Sequence, residues 1–418
     1  MITTFIDCPF GKRAIIWADY TASGRPYKKI EKFIKYNVLQ YYANVHSNAY
    51  CGKLMAKYIS QSKEQIKKSV NASESDKIIF TGSGTSCAIT HFIHLLNLTS
   101  DKNNIIIISE FEHNSNFLPW RHAPAKLEII KSLENGLLDL SELENKLKEY
   151  QNYDNKIISC SAGSNITGIK QDISKISVLG HKYGFIVGFD YAAVGPYVKI
   201  NMHNDNKYDY IDALYLSPHK FLGGPGTPGL LIANEKIFKN EHPYYPSGGT
   251  VRFTSKKCNV YANNLETKES GGTPNIIGCI KTGLVFQLKD KMQTLITLRE
   301  HQITCQIKKK LKEIKSLHLL NPDCDKLIEQ IPIFSFIIPN LHYNFVVALL
   351  NDLFGIQTRG GVSCSGIYAE KLLHIGKTYE QKILNTIISN KGVPQEYGWI
   401  RVTFHFTMPD YVNNYRAV

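Results

Sequence analysis

The chain has 418 residues, of which 43% are hydrophobic and 20% are charged. These fractions are typical of a globular protein and exclude bulk disorder, and the length suits two or three domains with a large core. No run reaches the roughly 18 apolar residues of a membrane span. The N-terminus lacks a basic region followed by an apolar stretch, so no secretory signal is predicted, and we expect a reducing, cytoplasmic compartment.

The net charge of +13 would attract anionic ligands, and a nucleic-acid-binding protein is one interpretation of it. The lysines, however, are dispersed through amphipathic segments such as 63–68 and 308–315, which favours solvated helix faces over a binding tract. Nine cysteines occur without a C-x-x-C pair. The sequence therefore predicts neither a metal site nor a disulfide framework.

Strand and helix patterns alternate through the first part of the chain. Helices are predicted over 27–41, 55–70, 87–96, 140–150 and 173–183. Strands are predicted over 78–81, 104–109, 127–130, 156–161, 185–189, 213–216 and 229–233. This rhythm predicts an α/β fold with a mostly parallel sheet and helices on both faces.

The later part of the chain changes character. A glycine-rich connection is predicted over 244–275, and a long helix over 276–314 follows it. A strand over 331–338 and helices over 343–353 and 372–389 then predict a smaller α+β domain. We expect three parts: an N-terminal segment 1–25 packed on the small domain, a large domain 26–275 and a small domain 276–418.

Four polar residues follow predicted strands of the sheet: His113, Asn165, Asp190 and Lys220. Ligand sites of such sheets lie beyond the carboxyl ends of the strands, so these side chains are expected to converge. The loop 82–86 is rich in small residues and opens a helix. Its free N–H groups would suit an anion, although ordinary helix capping explains the same residues.

An aspartate at the end of one strand and a lysine at the end of another suit pyridoxal phosphate. Lys220 leaves an apolar strand, and desolvation lowers the pKa of an amine and makes it a nucleophile that can form a Schiff base with the aldehyde. Asp190 would keep the pyridine nitrogen protonated, the helix at 84–86 would hold the phosphate, and His113 would stack on the ring.

Several motifs together resemble class V aminotransferase-fold enzymes, most of all the cysteine desulfurase and selenocysteine lyase branch. The motifs are Asp19-Tyr20-Thr21-Ala22, Ser217-Pro218-His219-Lys220-Phe221 and Gly272-Thr273-Pro274. The resemblance implies the pyridoxal-phosphate-dependent transferase fold type I, with a seven-stranded-type sheet between helices. It also implies a homodimer, in which Thr273 reaches the cofactor phosphate of the neighbouring subunit.

The resemblance assigns further roles at the cofactor. It implies that Ser217 and His219 position the phosphate or the lysine, that Thr85 and Ser86 bind the phosphate, and that Asn165 lies near the phenolic oxygen. We assign Asn44 and His46, in the polar loop after the first helix, to substrate binding.

The segment from Arg359 to Cys364 is similar to the family's Arg-x-Gly-x-x-Cys loop. The resemblance implies that Cys364 accepts sulfur from L-cysteine, becomes a persulfide as alanine is released, and passes the sulfur to a possible acceptor protein. Arg359 would favour the Cys364 thiolate and contribute to the substrate site. Arg401 is expected to clamp the substrate carboxylate, a role that suits a planar bidentate donor.

Two departures from the family pattern leave alternatives open. Ala193 stands where desulfurases usually carry a glutamine that bonds the phenolic oxygen, and Asn114 stands where one branch has a second histidine. An aminotransferase, epimerase or lyase acting on another amino acid through Lys220 is therefore an alternative. A cofactor-free nucleic-acid-binding protein is a second, which Asp190 and Lys220 argue against.

Overall fold

The computed structural model describes residues 4–322, 329–390 and 392–410. Strands in these residues are β1 Phe5–Cys8, β2 Gly11–Ala14, β3 Ile16–Trp17, β4 Asp76–Thr81, β5 Asn104–Ser109, β6 Lys126–Ile130, β7 Asn155–Ser161, β8 Ile186–Asp190, β9 Ala213–Leu216, β10 Gly229–Asn234, β11 Val251–Thr254, β12 Asn259–Tyr261, β13 His318–Leu319, β14 Ile333–Ile337, β15 Ile356–Gln357, β16 Arg359–Gly361 and β17 Trp399–Thr403. Helices are α1 Lys28–Phe33, α2 Tyr50–Val70, α3 Gly84–Leu96, α4 Leu118–Arg121, α5 Leu140–Glu149, α6 Ile173–Lys182, α7 Leu265–Lys268, α8 Ile276–Glu313, α9 Tyr343–Phe354, α10 Gly366–Leu372 and α11 Lys377–Ile388.

The central sheet has seven strands in the order β4-β10-β9-β8-β7-β5-β6. Strands β6, β5, β7, β8 and β9 pair in parallel, whereas β10 runs antiparallel to both of its neighbours. Because β10 is reversed between them, β4 and β9 point the same way. The predicted mostly parallel sheet is confirmed, and six of its seven strands end at one edge.

The sheet is covered on both faces. Ile105 and Ile107 of β5 pack into one apolar cluster, and Ile106 and Ile108 into the cluster on the opposite face, all fully buried. This alternation follows from the two-residue period of a strand, and burial on both faces explains the continuous isoleucine run. The sheet is thus the rigid centre on which its polar edge is built.

The long helix α8 confirms the prediction over 276–314 and packs along α2. Gly283 allows the close approach, since a Cβ there would lie 2.5 Å from the Ser62 hydroxyl oxygen. Among the described residues, no helix is both long and apolar enough to cross a membrane.

The later part of the chain forms a four-stranded sheet in the order β13-β14-β17-β16, with α9 against it. The N-terminal segment meets this region directly, because β3 pairs in parallel with β15 through Ile16 and Ile356. The division at residues 25 and 275 stays a prediction.

Three predicted elements differ from the structure. The helix expected over 27–41 is α1 followed by a wide π turn over Ile34–Val38, where the Asn37 amide donates to the Phe33 carbonyl and competes with the backbone for it. The helix expected over 372–389 is interrupted between α10 and α11, with His374 at a φ of 50°. The connection over 244–275 contains the hairpin β11–β12 and α7, which its glycines concealed.

The neighbouring strands β5 and β6 offer a matched test of core packing. Ile108 and Ile129 are register partners, yet Ile108 is 0% and Ile129 37% exposed. We expect Ile108→Ala to lower the free energy of unfolding by about 2–5 kcal/mol, because it opens a cavity, and Ile129→Ala to cost less than about half as much. Urea denaturation measures both; equal losses would contradict the difference in burial between the central strand β5 and the edge strand β6.

Candidate active site

A cavity opens at the carboxyl edge of the central sheet. Ten of the residues singled out from the sequence line it: Thr85, Ser86, His113, Asn165, Asp190, Ser217, His219, Lys220, Arg359 and Arg401. They come from seven separate stretches of chain. The expected convergence of strand-end residues is therefore what the structure shows.

Lys220 ends a short 3₁₀ turn, Pro218–Lys220, that follows β9 directly. The next chain segment folds back so closely that a Cβ on Gly224 would lie 2.0 Å from the Pro218 carbonyl oxygen, which explains the glycine there. Burial lowers the Lys220 pKa to about 8; Asp190 opposes the shift, and Arg401 adds to it. A usable fraction of neutral amine therefore exists near neutral pH.

Asp190 is the last residue of β8 and only 4% exposed. The Ala192 N–H donates to its Oδ1 at 2.8 Å. Burial raises the Asp190 pKa to about 6, although the Ala192 N–H and the Lys220 charge both lower it. The carboxylate is therefore destabilised as it stands, and a cation placed in the cavity would relieve it.

His113 lies between β5 and a short 3₁₀ turn. Burial, then the charges of Lys220, Arg401 and Arg359, lower its pKa to about 3, so the imidazole is neutral. The Ser115 N–H donates to Nδ1 at 3.1 Å, which leaves the ring proton on Nε2. Ser115 is also linked to Ser86 through their hydroxyls at 2.6 Å. A neutral ring with a fixed tautomer suits stacking on a planar ligand.

The N-terminus of α3 meets the turn that carries Lys220. Gly84 has a φ of 58°, and a Cβ there would lie 2.7 Å from the Ser217 hydroxyl oxygen, so glycine is required. The Thr85 N–H donates to that same oxygen at 3.0 Å. Burial and the Lys220 charge lower the His219 pKa to about 4. The N-terminus of α3, hydroxyl groups and a neutral imidazole thus surround one end of the cavity.

Two arginines of the four-stranded sheet also line the cavity. Arg401 of β17 is 2% exposed; its Nη1 donates to the Asn165 carbonyl at 3.2 Å and its Nη2 to Asp19 Oδ1 at 3.0 Å. Burial lowers the Arg401 pKa and Asp19 opposes this, but a guanidinium stays charged. Arg359 of β16 is the register partner of Arg401.

Cys364 lies on an exposed loop after β16. Ser363 and Cys364 both have left-handed backbones, with φ of 52° and 58°. The loop is anchored at its backbone, since Asn114 N–H donates to the Cys364 carbonyl at 2.6 Å and the Asn165 amide to the Ser363 carbonyl at 3.1 Å. The Ser363 side of the loop lines the cavity, so Cys364 lies near its mouth.

Three predicted site residues lie elsewhere. Asn44, His46 and Thr273 form a separate surface cluster, in which the Asn44 amide donates to Thr273 Oγ1 at 3.0 Å and His46 Nε2 to the Gly272 carbonyl at 3.5 Å. None of the three lines the Lys220 cavity of its own chain. Asn44 and His46 therefore do not reach the site of the chain that carries them.

Glu112 and Ser115 were missed from the sequence, although both flank the predicted His113. Glu112 is fully buried and accepts hydrogen bonds from the Ser161 N–H at 2.7 Å, the Ser161 hydroxyl at 2.6 Å and the Asn116 amide at 2.7 Å. Burial raises the Glu112 pKa to about 7. A charged residue directly before a strand-end histidine is the signal that could have found it.

The family model described as aminotransferase class-V matches residues 16–406. The chain belongs to this family. Among curated relatives, a probable cysteine desulfurase of Borreliella burgdorferi is 29% identical over 414 residues, covering 93% of both chains. One of Staphylococcus aureus, with the same description, is 25% identical over 362 residues and covers 85% of this chain and 84% of the relative.

Solved structures agree with the family on the fold. The cysteine desulfurase of Thermococcus onnurineus superposes with a TM-score of 0.79 at 24% identity, covering 96% of this chain and 92% of that one. The Escherichia coli cysteine desulfurase superposes with a TM-score of 0.74 at 20% identity, covering 95% of this chain and 92% of that one. The predicted transferase fold type I is confirmed. The predicted family is confirmed as well, and with it the prediction that the protein is an enzyme.

The raised pKa of Asp190 predicts a stability cost in the cofactor-free protein. Because the folded-state pKa of about 6 exceeds the ordinary 3.8, the cost is absent below about pH 4 and complete above about pH 6. Asp190→Asn keeps an oxygen for the Ala192 N–H, so we expect it to raise the free energy of unfolding at pH 7 by up to about 3 kcal/mol. Urea denaturation at pH 4 and pH 7 measures this; an equal effect at both would refute the cause.

Proposed function

We propose that this protein is a pyridoxal-phosphate-dependent cysteine desulfurase, which releases alanine from L-cysteine and holds the sulfur on Cys364. The observation that carries the proposal is the shared cavity of Lys220, Asp190 and His113, with the Cys364 loop at its mouth. Curated relatives described as probable cysteine desulfurases support the substrate.

The side chains fit pyridoxal phosphate on three counts. The Lys220 charge only partly offsets the burial of the Asp190 carboxylate, so a pyridinium nitrogen beside it would stabilise it further. The glycine-lined N-terminus of α3, where a Cβ would meet Ser217, suits a phosphate. The Lys220 amine, with its pKa of about 8, suits an aldehyde. Once bound, the cofactor would act as an electron sink for the substrate's Cα.

Each residue has a role that its surroundings favour. Lys220 would hold the cofactor and move a proton at the Cα of the substrate. His113, neutral and held by Ser115, would stack on the ring. Arg401, fixed by Asn165 and Asp19, would hold the substrate carboxylate. Thr85, Ser86, Ser217 and His219 would hold the phosphate.

Cys364 would carry out the sulfur transfer. Its thiolate would attack the substrate sulfur, so that a sulfur–sulfur bond forms, the carbon–sulfur bond breaks, and the electron pair left on carbon is protonated to give alanine. Arg359 and Arg401 line the cavity at whose mouth this loop lies. The exposure of Cys364 leaves the resulting persulfide open to a reductant or an acceptor protein.

A homodimer would complete the site. Asn44, His46 and Thr273 are held together outside their own cavity, as residues that serve a neighbouring subunit would be. Next to Asn44 the chain exposes several large apolar side chains, including Tyr42 at 51% and Tyr50 at 72%. Exposed apolar surface of this kind is typical of protein interfaces.

The proposal predicts separable losses at Lys220 and Cys364. We expect Lys220→Ala to abolish both the visible absorbance change on adding L-cysteine and the release of sulfide. Cys364→Ala should keep the absorbance change but lose at least a hundredfold in sulfide release, since only the acceptor is removed. Absorbance spectra and a sulfide assay with reductant measure the two effects.

Cys305→Ala, at another exposed cysteine, is the matched control and should retain wild-type rates. Full sulfide release by Cys364→Ala would disprove the acceptor role. Ala193 lines the cavity where a glutamine is usual, which favours the alternative of an aminotransferase, epimerase or lyase. A wild-type protein that binds the cofactor, ignores cysteine and converts another amino acid would establish that alternative.

The dimer predicts complementation between subunits. We expect Thr273→Val to weaken cofactor affinity about tenfold, because a hydrogen bond to a charged phosphate is lost. Hybrids of Thr273→Val with Lys220→Ala subunits should regain one site per dimer with wild-type affinity, measured by cofactor titration. Thr378→Val, exposed and distant in sequence, is the control. Hybrids without a restored site would show that Thr273 does not act across the interface.

A further inference from the structure

Two positive charges stand side by side at the substrate end of the cavity. Arg359 and Arg401 are directly opposite each other on the antiparallel strands β16 and β17, and both line the cavity. Like charges in such positions repel each other and destabilise the pair. Taken alone, the two guanidinium groups would form a doubly charged pocket.

Asp19 lies between the two arginines. Its Oδ1 accepts from Arg401 Nη2 at 3.0 Å, and its Oδ2 lies 3.6 Å from Arg359 Nε. The Asp19 side chain is 14% exposed. Its neighbours Thr21 and Ala22 face the cavity, whereas Asp19 itself is outside the lining. The carboxylate therefore approaches the arginines from behind and leaves their cavity side free.

Backbone hydrogen bonds to β15 and β17 fix the chain next to Asp19. The Ala18 N–H donates to the Gln357 carbonyl at 3.0 Å, and the Thr403 N–H donates to the Ala18 carbonyl at 2.7 Å. These bonds tie the segment before Asp19 to the ends of β15 and β17. The carboxylate contacts both arginines from a backbone that is tied down next to it, so its charge is part of the folded site.

We propose that Asp19 is a specificity-determining residue, which restricts the substrate to amino acids with an uncharged side chain by neutralising one of the two arginine charges. Two guanidinium groups and one fixed carboxylate leave a single net positive charge, which matches the one α-carboxylate of such a substrate. Without Asp19 the pocket would match a dicarboxylic amino acid. The inference rests on the proposed placement of the substrate carboxylate at Arg401.

The test uses L-aspartate and L-asparagine, which have nearly the same shape and differ by one charge. Calorimetry on the cofactor-loaded protein gives the two dissociation constants, and their ratio measures the preference for the second carboxylate. We expect Asp19→Asn, which keeps an oxygen for Arg401 Nη2, to shift this ratio on the order of tenfold towards aspartate. Asp205→Asn removes an exposed charge elsewhere and should leave the ratio unchanged.

A double-mutant cycle isolates the charge from other effects of the substitution. Arg359→Gln alone should shift the ratio about tenfold towards asparagine, and Asp19→Asn with Arg359→Gln should return it to within threefold of wild type. A ratio within twofold of wild type for Asp19→Asn would overturn the proposal, as would a double variant that keeps the Asp19→Asn ratio. If Asp19→Asn does not fold, an unchanged ratio for Arg359→Gln overturns it equally.

These outcomes are independent of the proposed reaction. The measurement is of ligand binding, so it can be made on a protein that binds the cofactor and does not release sulfide from cysteine. A protein that fails to bind pyridoxal phosphate would instead refute the proposed function. The two failures are therefore distinguished by the visible spectrum of the loaded protein before any amino acid is added.

Discussion

Desolvation at the carboxyl edge of the parallel sheet is the constraint on which the site depends. Both faces of the sheet are buried, so the polar side chains that follow its strands gather where water is scarce. Burial lowers the pKa of Lys220 to about 8 and that of His113 to about 3, and it raises that of Asp190 to about 6. Each of these three pKa shifts favours the neutral form of its group. The cavity therefore lacks charges that a bound ligand would supply.

Asn165 connects the halves of the cavity. Its carbonyl accepts from Arg401, its amide donates to the Ser363 carbonyl, and its Oδ1 accepts from the Ser365 hydroxyl at 2.9 Å. Asn165, in the loop that follows β7, thereby orients the buried Arg401 and anchors the cysteine loop. The sheet edge, which is rigid, can in this way set the distance between a substrate held at Arg401 and the thiol at Cys364.

Features that depend on local pattern could be predicted from the sequence, and features that depend on distant pairing could not. Lys220 and Asp190 follow apolar runs, and strand direction alone brings them to one edge. Asp19 belongs to a recognisable motif, but its arginine partners lie 340 and 382 residues further along the chain. No periodicity in the sequence predicts a pairing over that distance. Thr273 was expected from the resemblance to serve the neighbouring subunit, and it does lie outside the cavity of its own chain. Asn44 and His46 were assigned from a polar loop, and the polarity of a loop does not say which cavity it faces.

The backbone of the cysteine loop adopts an unfavourable conformation at two successive residues. A left-handed conformation costs about 1–3 kcal/mol at a residue other than glycine, and Ser363 and Cys364 adopt it in succession. Glycines stand two and three residues before Ser363, at 360 and 361, so the loop is rich in the residue that would relieve the strain. A glycine at 364 would lower that cost and remove the thiol. The strained backbone therefore allows the Cys364 side chain to face solvent. Asn114 and Asn165 hold the loop backbone in this conformation.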